Sequence, residues 1–548
     1  MRLLLSTGAA MLVGIAGANA GAREDVQRCY EETGDLKLKV SLCTRAIESG
    51  ELGNQNLAVS LVNRGIARRR LGQDEAAIAD YSRAIELSPR LVSAYYNRGI
   101  ARQGLGDDRA AAEDFGLTIT LKPDYAPAYL SRANVYVRLG YTEYGIADFT
   151  SAIERAPQSA DNYFGRAIAL HKLKRYAEAV ADYDLGLKLA PTRAEAYNNR
   201  AISHEAMGKF GLARVDYQSA IRLDPKFSDA YLNRANLAIH QGRHKAAIDD
   251  LGQALHIKPG YIEGYRKRAR LNVKVGDDSA AIADYSKVLA NTPSDTGVLL
   301  ERARVFVRQG KMVHAAGDLD KILEKDPKNA TAHRLKGNLH YDNDDPARAI
   351  ASLSNAIDLH EDDANTHIAR ARAYQQTGDD VRAIADYDIA LEQDSGLTPA
   401  LLGRGKARFR RGLFAAAVPD LAKGVRGAPD DANSVLWLYL AKERSRSDGR
   451  TGLRSAARRL ASRGWPEAVL ALYLGTGPAS RIKAQAADPD PKVRRKRQCE
   501  ANFYLGQHAI LSGDEAKATR FFQAAVDTDA RSLDAYLGAK AELKRLGS

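Results

Sequence analysis

From Ala58 to about Asp431 the chain repeats one pattern of apolar and polar positions every 34 residues, through eleven successive units. Counted from Ala58, the eighth place is always small: Gly65, Gly99, Ala133, Ala167, Ala201, Ala235, Ala269, Ala303, Gly337, Ala371 and Gly405. The twentieth place is Ala except where it is Gly145. The fourth is mostly Tyr, from Tyr95 to Tyr265, and the twenty-fourth is Tyr, Phe or Leu, from Tyr81 to Leu421. Small residues let two helices approach, and the large ones fill the space between hairpins. Glycine near the fifteenth place, as in Gly72, Gly106, Gly140 and Gly208, separates a first helix from a second. A proline at the thirty-second place, from Pro89 to Pro327, then ends the second helix. A fixed period of this length predicts a stack of helical hairpins, each burying surface only against its neighbours.

The pattern is similar to the tetratricopeptide repeat (TPR). The resemblance implies an all-α fold, a right-handed superhelical solenoid of about 13 helix–turn–helix units with a C-terminal capping helix. The chain reads as a signal peptide (1–20), an irregular capping hairpin (21–57), eleven units (58–431), a degenerate basic module (432–498), a TPR-like unit (499–532) and a capping helix (533–548). Such stacks present a long surface and rarely build a catalytic pocket, so a binding protein is expected.

One pair of places goes beyond this minimal pattern. The seventh is Arg in ten units, among them Arg64 and Arg200, and the twenty-third is Asp in ten, among them Asp80 and Asp216. The unit with Lys336 at the seventh place is also the one with Ser352 at the twenty-third. The shared exception predicts that the two places pair across each hairpin, as structural residues.

The resemblance also implies that the second, fifth, ninth and twelfth places of each first helix line a concave groove. Early units offer Val62, Ile66, Tyr96, Ile100, Leu130, Phe164, Ile168, Ile202 and Leu232 there. From the seventh unit these places hold Arg266, Arg270, Arg304, Arg334, Asn338, Arg372 and Lys406. An apolar stretch followed by a basic one suits a partner with an apolar segment and an acidic one. The early isoleucines equally suit packing against the next helix. The lysine-and-asparagine clamp that some relatives use for peptide tails is missing, because Leu130 and Leu232 precede Asn134 and Asn236 where lysine is needed.

Past Asp431 the register is lost. Trp-Leu-Tyr-Leu-Ala at 437–441, Trp-Pro at 465–466, Leu-Tyr-Leu-Gly at 472–475 and Asn-Phe-Tyr-Leu-Gly at 502–506 follow in order. This order resembles the C-terminal part of periplasmic TPR lipoproteins of the new-lipoprotein-I type. That resemblance implies an envelope adaptor for proteins, although this chain has no cysteine near its leader and a longer array.

Arg2, the apolar run Leu3–Ala16 and Ala18-Asn19-Ala20 form a leader of the secretory kind, cut after Ala20. The expected location is therefore periplasmic or secreted. In an oxidising compartment Cys29 and Cys43, on either side of the Gly34-Asp35 turn, can form a disulfide closing a loop of roughly 15 residues, which stabilises by about 3 kcal/mol. Two reduced core cysteines are the alternative.

The formal net charge is +13, and residues 430–548 hold 21 Lys and Arg against 14 Asp and Glu. This excess leaves an anionic envelope polymer or lipid surface as a second partner class. The leader argues against nucleic acid despite the basic run Lys492–Arg497. No metalloprotease, CxxC, phosphate-loop or nucleophile-elbow motif is present, so neither catalysis nor a cofactor is expected. His240 and His244 flank Gly242 at a turn and are not read as a metal site. The expected partners are envelope proteins or extended peptide segments, bound by a chain that does not span a membrane.

Overall fold

The computed structural model describes residues 20–360, 362–460 and 465–547. The leader's first nineteen residues, and so the body of the signal-peptide reading, lie outside the described residues. Among the described residues the structure consists of 31 helices and their turns. Helices pair consecutively into hairpins. From Val92 to Thr398 the first helix of every repeat starts at its first place, and the second starts sixteen places later, as in Val92–Gly104 and Asp108–Leu121. The chain forms two compact units, one up to Gly264 and one from Tyr265. The first holds the N-terminal hairpin and six repeats; the second holds the later repeats and the C-terminal module.

The small-to-large pattern explains the hairpin. A side chain added at Gly99 would put its Cβ 2.7 Å from the Phe115 ring sixteen residues on, and at Gly405 it would lie 2.7 Å from Leu421. The twenty-fourth place therefore packs inside its own hairpin, on the eighth. Past the regular repeats, Gly506 meets Phe522 at the same spacing, 2.5 Å from a built Cβ. The turn glycines adopt left-handed backbone, as at Gly72 (φ 77°), where the amide of Gln73 donates to the Arg68 carbonyl and closes the helix end.

All ten Arg–Asp pairs form, each two-pronged. Arg64 donates to Asp80 at 3.0 and 2.7 Å, and Arg200 to Asp216 at 2.8 and 2.6 Å. The ten aspartates are 1–7 % exposed. Seven of the ten arginines use their remaining nitrogen on the second helix of the preceding hairpin, at Thr44, Ser82, Thr150, Asp184, Ser286, Ser354 and Asp388. Each of these arginines ties its hairpin together and also fastens it to the one before. Repeat nine keeps only the second function, through Lys336 on Asp320 at 2.6 Å.

Repeat ten adds a buried histidine to this ladder. His367 donates from Nδ1 to Asp386 (3.0 Å) and from Nε2, when protonated, to Asp362, while Arg370 holds the other side of Asp386. The Asp386 bond, against burial and with help from Asp362, raises the His367 pKa above 6.5. A raised folded pKa gives stability that is present below about pH 6.5 and is lost as pH rises through the folded value. The melting temperature should therefore fall over that window, and His367→Gln should flatten the fall. A wild-type melting temperature that rises over the same window would contradict the linkage. In acid the opposite group takes over. Asp386 is destabilised by burial but held below its ordinary pKa by Arg370 and His367, so its contribution is full above that pKa and disappears as pH drops through the lower folded one.

The C-terminal module has one continuous core. Trp437 is fully buried, stacked on Phe503 at 5.1 Å and edge-on to Phe409 at 5.0 Å. Cys499 is buried in the helix Pro491–Leu511, and burial pushes its thiol pKa up to about 11. The basic run at the start of that helix is partly engaged: Arg495 caps the carbonyls of Thr528 and Asp529, and Arg497 pairs with Asp488 at 2.9 Å. Among the described residues no helix is long and apolar enough to cross a membrane, and no cluster of His, Cys, Asp and Glu is placed to hold a metal ion.

Candidate functional site

A helix turns once in 3.6 residues, so the fifth, ninth and twelfth places of a first helix share a face. In the first unit that face is largely committed to packing, mostly inside its own hairpin. The Tyr96 ring lies 5.8 Å from Phe115 and edge-on to Tyr125 at 5.1 Å, with its hydroxyl 3.4 Å from that of Ser131. Leu130 is half-buried against the Phe149 cluster. Phe164 is 7 % exposed and covers Gly186, where an added Cβ would meet its ring at 2.4 Å. Ile168, by contrast, stays 47 % exposed.

In the second unit the cations divide. Arg266 donates to Asp295, and Arg270 pairs with Glu301 at 2.8 Å, each reaching an acid about one repeat ahead. Arg334 is half-buried. Lys406 is held at 2.8 Å by Asp534, the first residue of the capping helix Asp534–Arg545. Arg410 joins the same carboxylate at 3.2 Å and holds Asp380 two-pronged. The capping helix thus occupies the ninth and thirteenth places of repeat eleven.

Arg304, Asn338 and Arg372, the ninth places of repeats eight to ten, come together around one cavity of about 450 Å³. They stand on the helices Thr296–Arg308, Ala330–Asp342 and Ala364–Gln376. Leu335, Leu339 and Ile368 give the cavity an apolar lining, with Val307 and Tyr341 from twelfth places. Both arginines are exposed and neither forms a hydrogen bond or ion pair within the described residues. Burial raises the Tyr341 phenol and the Asp342 carboxyl above their ordinary values. Such a site can take an apolar side chain and an anionic group together.

Tyr341, Val307 and Ile368 were not singled out from the sequence, although the twelfth and fifth places already pointed to them. Asp534 and Arg410 carry no such signal, because their contact joins residues 124 apart.

Two TPR family models match the chain. The one described as "TPR repeat" covers residues 65–106, and the one described as "Tetratricopeptide repeat" covers 130–194, 198–262, 266–330 and 334–398. Together they span more than half of the sequence. Solved structures that resemble parts of it include a tetratricopeptide repeat protein from Parabacteroides merdae, with 21% identity over 46% of this chain and 100% of that one (TM-score 0.38). YrrB, described as a TPR protein with an unusual peptide-binding site, is 19% identical over 34% of this chain and 96% of its own, with a TM-score of 0.30. PilW, a type IV pilus biogenesis factor, is 21% identical over 37% and 94%, with a TM-score of 0.34. Eleven hairpins in one 34-residue register and the family matches agree: this chain is a member of the tetratricopeptide repeat family.

Proposed function

We propose that this chain is an exported scaffold of the bacterial cell envelope, holding segments of partner proteins on the first-helix face of repeats eight to ten. The observation that carries this reading is the cavity there, lined by apolar and polar side chains together and bordered by Arg304 and Arg372, which have no bonded partner within the described residues. An envelope role in protein or peptidoglycan processing draws support from the leader and from the order of aromatic motifs after Asp431.

The cysteines give export a direct check. Cys29 and Cys43 are buried together with their α-carbons 4.8 Å apart, within the range a disulfide spans. The mature chain 21–548, unfolded without reductant, should expose one thiol, that of Cys499, and a count of three would show the pair reduced. In the folded chain Cys499 should resist alkylation, because its thiol is buried and protonated at neutral pH.

Crosslinking of the mature chain in an envelope extract tests the scaffold reading, beside a variant with Arg304→Glu and Arg372→Glu. Discrete proteins captured by the wild type and lost by the variant are the expected result. Capture of polysaccharide or lipid alone would favour the second reading, a receptor for an anionic polymer or lipid surface. That reading draws on the helix Arg450–Leu460, which buries Leu453, Ala456 and Leu460 and exposes Arg450, Arg454, Arg458 and Arg459. Salt separates the two, since polyanion binding falls steeply with ionic strength and apolar burial does not.

A further inference from the structure

We infer that repeat three carries a further binding site, built from Arg132 and three tyrosines, for a neutral glycan chain bearing acetamido groups. Two departures from the repeat pattern meet there. The first lies at the twenty-fifth place, which elsewhere supplies Ser82, Thr150, Asp184, Ser286, Ser354 or Asp388 to the third nitrogen of the next repeat's arginine. Repeat two has Gly116 instead, and a Cβ built on it would lie 3.5 Å from Nη1 of Arg132. That nitrogen donates to no described residue, while Nε and Nη2 hold Asp148. The second departure is aromatic. Among the eleven repeats only the third has tyrosine at the sixteenth and nineteenth places, Tyr141 and Tyr144, and it has Tyr136 at the eleventh as well. Tyr141 directly precedes the helix Thr142–Arg155, and Tyr144 stands in its first turn. The ring centres lie 6.0 to 6.5 Å apart, and the Arg132 guanidinium sits 5.6 Å from that of Tyr136. Donor and rings thus follow one another along a single strip. Tyr136 by itself is a packing residue, but 50 % of Tyr141 and 68 % of Tyr144 face solvent.

The chemistry of the strip selects the ligand. Asp148 already matches the charge of Arg132, so Nη1 offers a hydrogen-bond donor and no net charge. It suits a neutral acceptor such as an amide carbonyl better than a phosphate or carboxylate. Tyrosine rings give rigid apolar contact at low entropic cost, and their hydroxyls both donate and accept. The three hydroxyls here hydrogen-bond to no described residue. A purely apolar partner would leave these hydroxyls and Nη1 unused, and a cation is repelled by the guanidinium beside Tyr136. A pyranose fits both halves of the strip: its C–H faces lie on the rings and its hydroxyls meet the phenols. An acetamido carbonyl on the same chain is the acceptor for Nη1. The site belongs to the first unit and is separate from the cavity of repeats eight to ten.

The test is calorimetric binding of triacetylchitotriose to the mature chain 21–548, with sedimentation on purified cell-wall sacculi in parallel. The wild type should bind the trimer, and Tyr141→Ala with Tyr144→Ala should lose at least tenfold in affinity at an unchanged melting temperature. Gly116→Ser is the more specific variant. A 3.5 Å approach is ordinary contact, so the serine fits, and its hydroxyl should take Nη1 of Arg132 as Ser82 takes that of Arg98 at 3.1 Å. It should weaken the trimer at least threefold and leave cellotriose, a comparable chain without acetamido groups, unaffected. Arg304→Glu with Arg372→Glu should bind the trimer as the wild type does. Retention on sacculi as well as trimer binding would put the glycan in the wall, whereas trimer binding alone would assign the site to soluble acetamido sugars. A wild type that ignores the trimer, or binding that both the tyrosine and Gly116→Ser variants leave unchanged, would overturn the inference. Equal affinity for cellotriose and triacetylchitotriose would overturn it too.

Discussion

Arg200→Ala should cost about 3–5 kcal/mol and lower the melting temperature measurably, because it leaves the carboxylate of Asp216 buried without its partner. Asp216 is 4 % exposed and receives both prongs of Arg200, whose third nitrogen holds Asp184 of the preceding hairpin. Burial disfavours the Arg200 charge, yet the two carboxylates outweigh it and raise its pKa further. His204 stands 3.8 Å from Asp216 and cannot replace the two-pronged contact. Lys336→Ala is the matched control. Its pair with Asp320 is partly exposed on both sides, and such surface pairs contribute about 0–1 kcal/mol. Thermal melts of the two variants that shift equally would contradict the distinction.

Trp437→Ala should also cost about 3–5 kcal/mol, as large-to-small changes in a closed core do. The indole is held between Phe409 of repeat eleven and Phe503 of the helix Pro491–Leu511. A Cβ added at Gly538 of the capping helix would come within 3.0 Å of it, so three elements close on this one ring. Its N–H has no hydrogen-bond partner among the described residues, so Trp437→Phe should cost less than the alanine change. Urea unfolding that shows a lower midpoint at unchanged slope for the alanine variant is the expected result. An unchanged midpoint would mean that the core around this ring closes without it.

The fold was legible because its signals are local and repeated. A small residue at the eighth place, a large one sixteen residues on and a glycine between them specify a hairpin whatever its neighbours do. The Arg–Asp ladder left a mark as well, in the joint exception at Lys336 and Ser352. Its third bond was also present in the sequence, as Ser82, Thr150, Asp184, Ser286, Ser354 and Asp388 at the twenty-fifth place of six repeats, but polar residues on a helix exterior look alike until a partner is seen.

The candidate site was legible only in part. Which cations on the first-helix face stay unmatched depends on acids brought alongside by stacking. Asp295 and Glu301 lie 29 and 31 residues from their arginines, and Asp534 lies 128 from Lys406. No local pattern encodes those meetings. Phe164 shows the same limit from the apolar side. At a place that faces a ligand in related repeats, its ring is taken up by Gly186 of its own hairpin.

Repeat nine has a consequence for how the second unit comes apart. In a linear array, stability is approximately a sum of intrinsic terms and interfaces between neighbours, and unfolding starts where either is smallest. With Lys336 and Ser352 in place of the two-pronged pair, repeat nine keeps its link to repeat eight but lacks the clasp inside its own hairpin. Its hairpin is the least clasped of that array, so unfolding that begins inside a repeat is expected there first. Because Asn338 and Tyr341 belong to it, a segment that settles there also braces that hairpin, so occupancy and unfolding are coupled through it.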